Sequence, residues 1–200
     1  IAGVTAQAQV KISVGPTIPD GFAIVTKKEV TQWSTTTKTY GLLHVATKDT
    51  VLPCDYQNMF YTNDAGLYIT QKSYDKNGLY SAPDRKFLLP PEYTTIESQY
   101  GYKGLYRVRK PDASNNDKWG YANIKGEFVI PLQYAYLGDL NQGLICFSND
   151  NKKYGFINLQ NEVVLPAQYA YATSFYNGLA VVALEKGGKY GAVNKKGKTV

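Results

Sequence analysis

The chain has 200 residues, a net charge of +6 and a hydrophobic fraction of 44%, enough apolar surface to bury a core and too much for a disordered tail. No stretch of about eighteen apolar residues occurs, which excludes a membrane-crossing helix, and one His with two distant Cys cannot supply a zinc set. Eighteen tyrosines against a single methionine favour strands over helices, so the composition predicts an all-β protein.

The chain opens without Met, and Ala6-Gln7-Ala8 has the small-x-small form of a signal-peptidase site. Residues 1–8 are read as the remnant of an export signal, with the mature chain starting near Gln9, which implies a periplasmic, cell-surface or secreted protein. No Cys follows Ala8 to receive a lipid. The alternative is an ordinary N-terminal strand, because Val10-Lys11-Ile12-Ser13-Val14 alternates in polarity. Residues 9–37 are expected to form an N-terminal β segment or cap.

From Tyr40 onward a pattern repeats: an aromatic-Gly step, a Pro-x-x-Tyr, and a Gly-Leu that opens an apolar run. The anchors Gly41, Gly78, Gly120, Gly155 and Gly191 are spaced by 37, 42, 35 and 36 residues. Each of the first four is followed by Pro after 12, 12, 11 and 11 residues, and a Tyr always stands three beyond that Pro. A fixed period means a repeat array whose units bury their apolar faces against their neighbours. Residues 38–117 hold two degenerate copies, and 118–200 hold two clear copies plus the opening of a third at Tyr190-Gly191.

Within one copy, Tyr154-Gly155-Phe156-Ile157 predicts a strand, Asn158 to Asn161 a turn, and Glu162-Val163-Val164-Leu165 the returning strand. The sixth position after the anchor is Gly126, Asn161 and Gly197 in the clear copies, residue types that accept a positive φ at a hairpin corner. Pro166 has no N–H to give to a ladder and should close the second strand. Tyr169 to Asn177 reads as a packed aromatic loop, and Leu179 to Leu184 as a strand covered on both faces. About three strands per unit favours a solenoid-like array over propeller-like closure, because propeller blades usually have four. The last copy should leave a strand edge without its neighbour.

Lys118-Trp119-Gly120-Tyr121, Lys125-Gly126-Glu127, Val129-Ile130-Pro131, Tyr134 and Gly143-Leu144 resemble the bacterial WG (KWG) repeat. The resemblance runs over roughly residues 38–200, strongly from Lys118. The earlier copies depart from it, with Asn77 in place of the aromatic and Thr47 and Asp84 in the turn-glycine slot. It implies an exported all-β repeat module with an interaction or structural role and no activity or cofactor of its own.

The function expected is therefore a non-enzymatic module that binds a protein or glycan of the cell envelope. Its candidate contacts are the connector aromatics Tyr136, Tyr171, Phe175 and Tyr176, which could stack on sugars or anchor an interface. The alternatives are a spacer for another domain and a glycan-active enzyme fragment. The enzyme reading rests on Asp55 and Glu92, which share the slot before Tyr56 and Tyr93; at about 14 Å for three strands they stand too far apart for a hydrolase pair. His44, the only imidazole, lies between apolar neighbours, and no nucleophile elbow, phosphate loop or metal motif is present. Cys54 and Cys146 occupy different slots of different copies and are expected to be unbridged. Lysines are scattered and only Arg107 to Lys110 forms a basic cluster, so no nucleic-acid partner is expected.

Overall fold

A computed structural model describes residues 9–31, 34–64 and 66–200. The described residues form nineteen strands in five antiparallel meanders and no helix. The first sheet holds β1 (Gln9–Val14), β2 (Phe22–Thr31), β3 (Ser34–His44) and β4 (Thr50–Tyr56). The second holds β5 (Asn58–Tyr61), β6 (Leu67–Ser73), β7 (Lys76–Ser81) and β8 (Lys86–Tyr93). The third holds β9 (Thr95–Gln99), β10 (Tyr102–Pro111), β11 (Asp117–Asn123) and β12 (Phe128–Tyr134). The fourth holds β13 (Tyr136–Asn141), β14 (Leu144–Ser148), β15 (Tyr154–Ile157) and β16 (Val163–Tyr169). The fifth has three strands, β17 (Tyr171–Ala172), β18 (Leu179–Ala183) and β19 (Gly191–Asn194). The described residues up to Tyr93 make one compact unit and those from Thr94 onward another. The remnant assigned to residues 1–8 lies outside the described residues.

The tandem all-β array agrees with the sequence. Four of the five sheets have four strands rather than three: in the second, third and fourth the connector after Pro-x-x-Tyr pairs as a strand of its own, β5, β9 and β13, as the two-residue β17 does in the three-stranded fifth, and in the first the added strand is β1. Four is also the strand count of a propeller blade, so strand number no longer separates an open from a closed array. The sheets are also out of phase with the sequence period. Each repeat gives its aromatic-Gly and Pro strands to one sheet and its connector and Gly-Leu strands to the next. Residues 9–31 accordingly supply β1 and β2 to the sheet that Tyr40-Gly41 completes.

The Gly and the Pro of the motif answer each other across one strand pair. Trp119 pairs with Tyr134 and Tyr121 with Ile130, so Pro131, Leu132 and Gln133 stand opposite the single residue Gly120. The same bulge sets Pro166, Ala167 and Gln168 against Gly155, and Pro53, Cys54 and Asp55 against Gly41. A Cβ at Gly41, Gly120 or Gly155 would meet the carbonyl oxygen of Leu52, Ile130 or Leu165 at 2.7, 2.6 or 2.6 Å. Pro fits here because the bulge makes no demand for its missing N–H.

The hairpin corner lies where the sequence puts it in the clear copies, with φ of 80°, 63° and 76° at Gly126, Asn161 and Gly197. In the early copies it moves one residue on, to Lys48 and Arg85, with φ of 61° and 50°. Their extra residue displaces the corner from Thr47 and Asp84. Asn158 caps its turn by accepting the N–H groups of Gln160 and Glu162 at 3.0 and 2.9 Å, and Asn123 and Asn194 do the same.

Apolar residues of successive sheets close separate cores. In the first unit Phe22, Leu42 and Leu52 meet Met59, Tyr68 and Tyr80. In the second, Tyr121 and Ile130 meet Leu137, Ile145 and Ile157, while Cys146, Phe156 and Leu165 meet Phe175, Ala180 and Val182. The hydroxyl of fully buried Tyr68 has no hydrogen-bond partner among the described residues. Removing an unpaired buried hydroxyl is favourable, so Tyr68→Phe should stabilise the first unit by about 1 kcal/mol. Urea denaturation measures it, and a destabilised variant would mean that the hydroxyl has a partner in solution.

Candidate functional site

Of the four connector aromatics singled out by sequence, three reach solvent. Tyr136 on β13 is 38% exposed and its ring meets Tyr154 edge-on at 5.6 Å. One repeat later Tyr171 makes the same contact with Tyr190 at 5.3 Å. Before Gly155 and Gly191 the aromatic ring thus packs on the connector tyrosine two strands away. Tyr176 is 73% exposed, in the connector itself. Phe175 is a correction: it is fully buried against Phe156, with ring centroids 4.7 Å apart, and cannot present its ring to a partner. A connector read as one aromatic run divides into a residue that closes the core and neighbours that do not.

The register of the fifth sheet sorts its faces. Ala180, Val182 and Val193 point into the core, and Tyr171, Leu179, Val181 and Tyr190 fall on the opposite face. All four of the latter are exposed. The sequence expectation that Leu179 to Leu184 is covered on both faces therefore fails here, although it holds for β14, where all five residues are buried. The fifth sheet covers the outward face of β14, whereas on that of β18 Leu179 and Val181 are exposed and only Ala183 is covered.

Two cavities adjoin these elements. One of about 380 Å³ is lined by the β10–β11 and β14–β15 turns, including Asn115, Asn116, Asn149, Asp150 and Asn151. It is rich in amides that can give and accept hydrogen bonds. The other, about 470 Å³, runs along β19, with Tyr169, Val182, Leu184, Tyr190 and Ala192 in its lining.

Trp119 has a different setting from its repeat equivalents. The guanidinium groups of Arg107 and Arg109 each lie 5.1 Å from its ring. Arg107 pairs with Glu97 and Asp139, and Arg109 with Asp117. Both arginines of the basic cluster are thus neutralised by acids of their own sheet or the next one. A run of charge in sequence did not show which acids the strands would bring beside it.

Asp55 and Glu92 are exposed bulge residues on β4 and β8, in different sheets. Neither lines a cavity described above. His44 is a turn cap: its Nδ1 stands 2.8 Å from the Thr47 hydroxyl and accepts the Thr47 N–H, and its ring packs edge-on against Phe22 at 5.1 Å. It occupies the slot that Asn123 and Asn158 hold in later copies, a signal that was available in the repeat alignment. Among the described residues no group of three or more His, Cys, Asp or Glu could hold a metal ion, and no helix is long and apolar enough to cross a membrane.

Cys54 and Cys146 are free thiols. Burial pushes the Cys146 thiol up to about 12 and raises Cys54 less far. Because the folded value is raised, the stability from burying the neutral Cys146 thiol is present below its ordinary 9.0 and is lost as pH climbs toward about 12. At neutral pH a thiol reagent should modify Cys54 slowly and Cys146 only after unfolding. Mass spectrometry of the labelled chain reads the order, and prompt labelling of Cys146 would contradict the packing of the fourth sheet.

Residues 119–152 and 154–190 match the family model of the WG containing repeat. No curated protein matches the chain in sequence. Among solved structures, the uncharacterized protein lmo1340 of Listeria monocytogenes EGD-e is similar over 99% of this chain and 65% of its own, with a TM-score of 0.44 and 8% identity. The WD40 domain of Toxoplasma gondii coronin is similar over 98% of this chain and 65% of its own, with a TM-score of 0.42 and 10% identity. The chain thus spans 65% of the length of each of these two structures.

Proposed function

We propose that the chain, whose residues 119–152 and 154–190 match the family model of the WG containing repeat, is a repeat module that serves as a non-enzymatic binding module of an exported bacterial protein. Its partner is a protein or glycan of the cell envelope. The observation that carries this reading is the cluster of exposed rings on the fifth sheet and its connector, Tyr171, Tyr176 and Tyr190, with Tyr136 at the equivalent place on the fourth; Phe60, Tyr74, Tyr100 and Phe128 are exposed at scattered places elsewhere. Tyrosine offers a large rigid ring and a polar tip at little entropic cost, which suits both sugars and protein surfaces. A spacer would gain nothing from such a face, since exposed apolar patches invite association. Export is supported by Ala6-Gln7-Ala8.

The test is capture of bacterial envelope material by the protein from Gln9 onward, on untreated, protease-treated and glycan-degraded fractions. Loss of capture after protease assigns a protein partner, and loss after glycan digestion assigns a sugar. Absence of specific capture from untreated material would refute the binding role and leave the spacer.

A further inference from the structure

Both carboxylate oxygens of Asp20 and the hydroxyl of Tyr68 are shut away from solvent in the first unit and make no hydrogen bond among the described residues. No described ion pair includes Asp20, and the only imidazole, on His44, is engaged by Thr47 and Phe22. Burial first, and then the Asp20 carboxylate, raises the pKa of both Tyr68 and Tyr61, so the two hydroxyls stand close to that charge. The backbone fixes the carboxylate from both sides. Asp20 sits in a turn closed by the Gly21 N–H on the Ile18 carbonyl at 2.9 Å, and the Gly21 carbonyl accepts the Val45 N–H at 2.9 Å. Its Oδ2 lies 3.2 Å from the Cβ position of Gly66, whose carbonyl accepts the Ala82 N–H. Asp64, also buried, belongs to that second turn.

The turn itself does not call for an acid. Gly21-Phe22 is the Gly-apolar step of the first sheet, and the residue before that step is Ala65, Lys103, Gln142 or Asn177 in the others. A carboxylate buried without a counter-charge is strongly unfavourable and takes up a proton or a cation. We propose that Asp20 and Tyr68, with Asp64 in the adjoining turn, form a site for a hard divalent cation of the calcium type. The donors are all oxygen, and the acids of the two turns match the charge of the ion. Asp20 and Tyr68 stand close without hydrogen-bonding each other, which leaves the oxygens of both open to one ion.

The test is thermal unfolding of the 200-residue chain, freed of metal with chelator and titrated with calcium chloride. A saturable rise of the midpoint is expected, absent in Asp20→Asn and shifted to about tenfold higher calcium in Tyr68→Phe. In chelator Tyr68→Phe should be at least as stable as the parent, so that its deficit appears only with calcium. Asp55→Asn, which removes an exposed carboxylate of the same unit, should respond like the parent. No rise with calcium, a rise that Asp20→Asn keeps, or an unaltered calcium response in Tyr68→Phe overturns the proposal. A midpoint that climbs only as pH falls would assign a proton to Asp20 and overturn it equally.

Discussion

Replacing Gly120 or Gly155 by alanine is expected to cost about 3 kcal/mol, whereas Gly191→Ala should stay within about 0.5 kcal/mol of the parent chain. All three glycines hold the same place in the sequence period, so propensity alone predicts the same small effect at each. What separates them is the strand across the way. At Gly120 the added methyl lies 2.6 Å from the Ile130 carbonyl oxygen and 3.0 Å from the Leu132 nitrogen, both backbone atoms that no rotamer change can move. Relief would require the Pro131 bulge to lift, and with it the pairing that seats Tyr134. At Gly191 the added methyl meets no atom of the described residues within 4 Å. Urea denaturation of the three variants measures the contrast, and equal costs at all three positions would contradict the bulge as the reason for the glycine.

Phe175→Ala should cost about 3 to 5 kcal/mol, the usual range for truncating a fully buried phenylalanine. Its neighbour Tyr176→Ala should change stability by no more than about 0.5 kcal/mol, since that ring is largely in water. Phe175 is the ring that the fifth sheet sends against Phe156, so its loss should be felt first in the segment from Tyr171 onward. Thermal unfolding with hydrogen exchange resolves both points. A tolerant Phe175 would return it to the list of contact residues and remove the packing assigned to it.

These adjacent residues show where sequence reasoning stops. The period was legible because Gly, Pro and Tyr recur at fixed distances, and Gly and Pro each carry a backbone property that follows from residue type alone. The hairpin corner at Gly126, Asn161 and Gly197 was legible for the same reason. The connector was not, because β17 spans only Tyr171–Ala172 and its pairing with β18 depends on a strand that follows it. Which connector ring enters the core is likewise decided by the facing sheet, through Phe156. The stagger between repeat and sheet was hidden as well, since a motif boundary drawn at the aromatic-Gly step cuts each meander in half. The early copies were misaligned by their extra residue, which puts Lys48 and Arg85 at the corner against ordinary preference.

The role of the anchor glycine needed the structure too. In sequence it marks the period and nothing more. In the fold it is the gap through which the Pro strand passes, and this joins the two most recognisable parts of the motif into one device.

The most direct measurement on the functional account is cosedimentation of the purified protein with isolated bacterial envelope, comparing the parent chain with a Tyr171→Ala, Tyr176→Ala, Tyr190→Ala variant. These rings stand on the exposed side of the fifth sheet or in its connector, so the variant should keep its fold, as circular dichroism and the thermal midpoint would verify. The account predicts that the parent chain sediments with the envelope and that the folded variant stays in the supernatant. A folded variant that sediments as well as the parent would contradict the assignment of binding to these tyrosines.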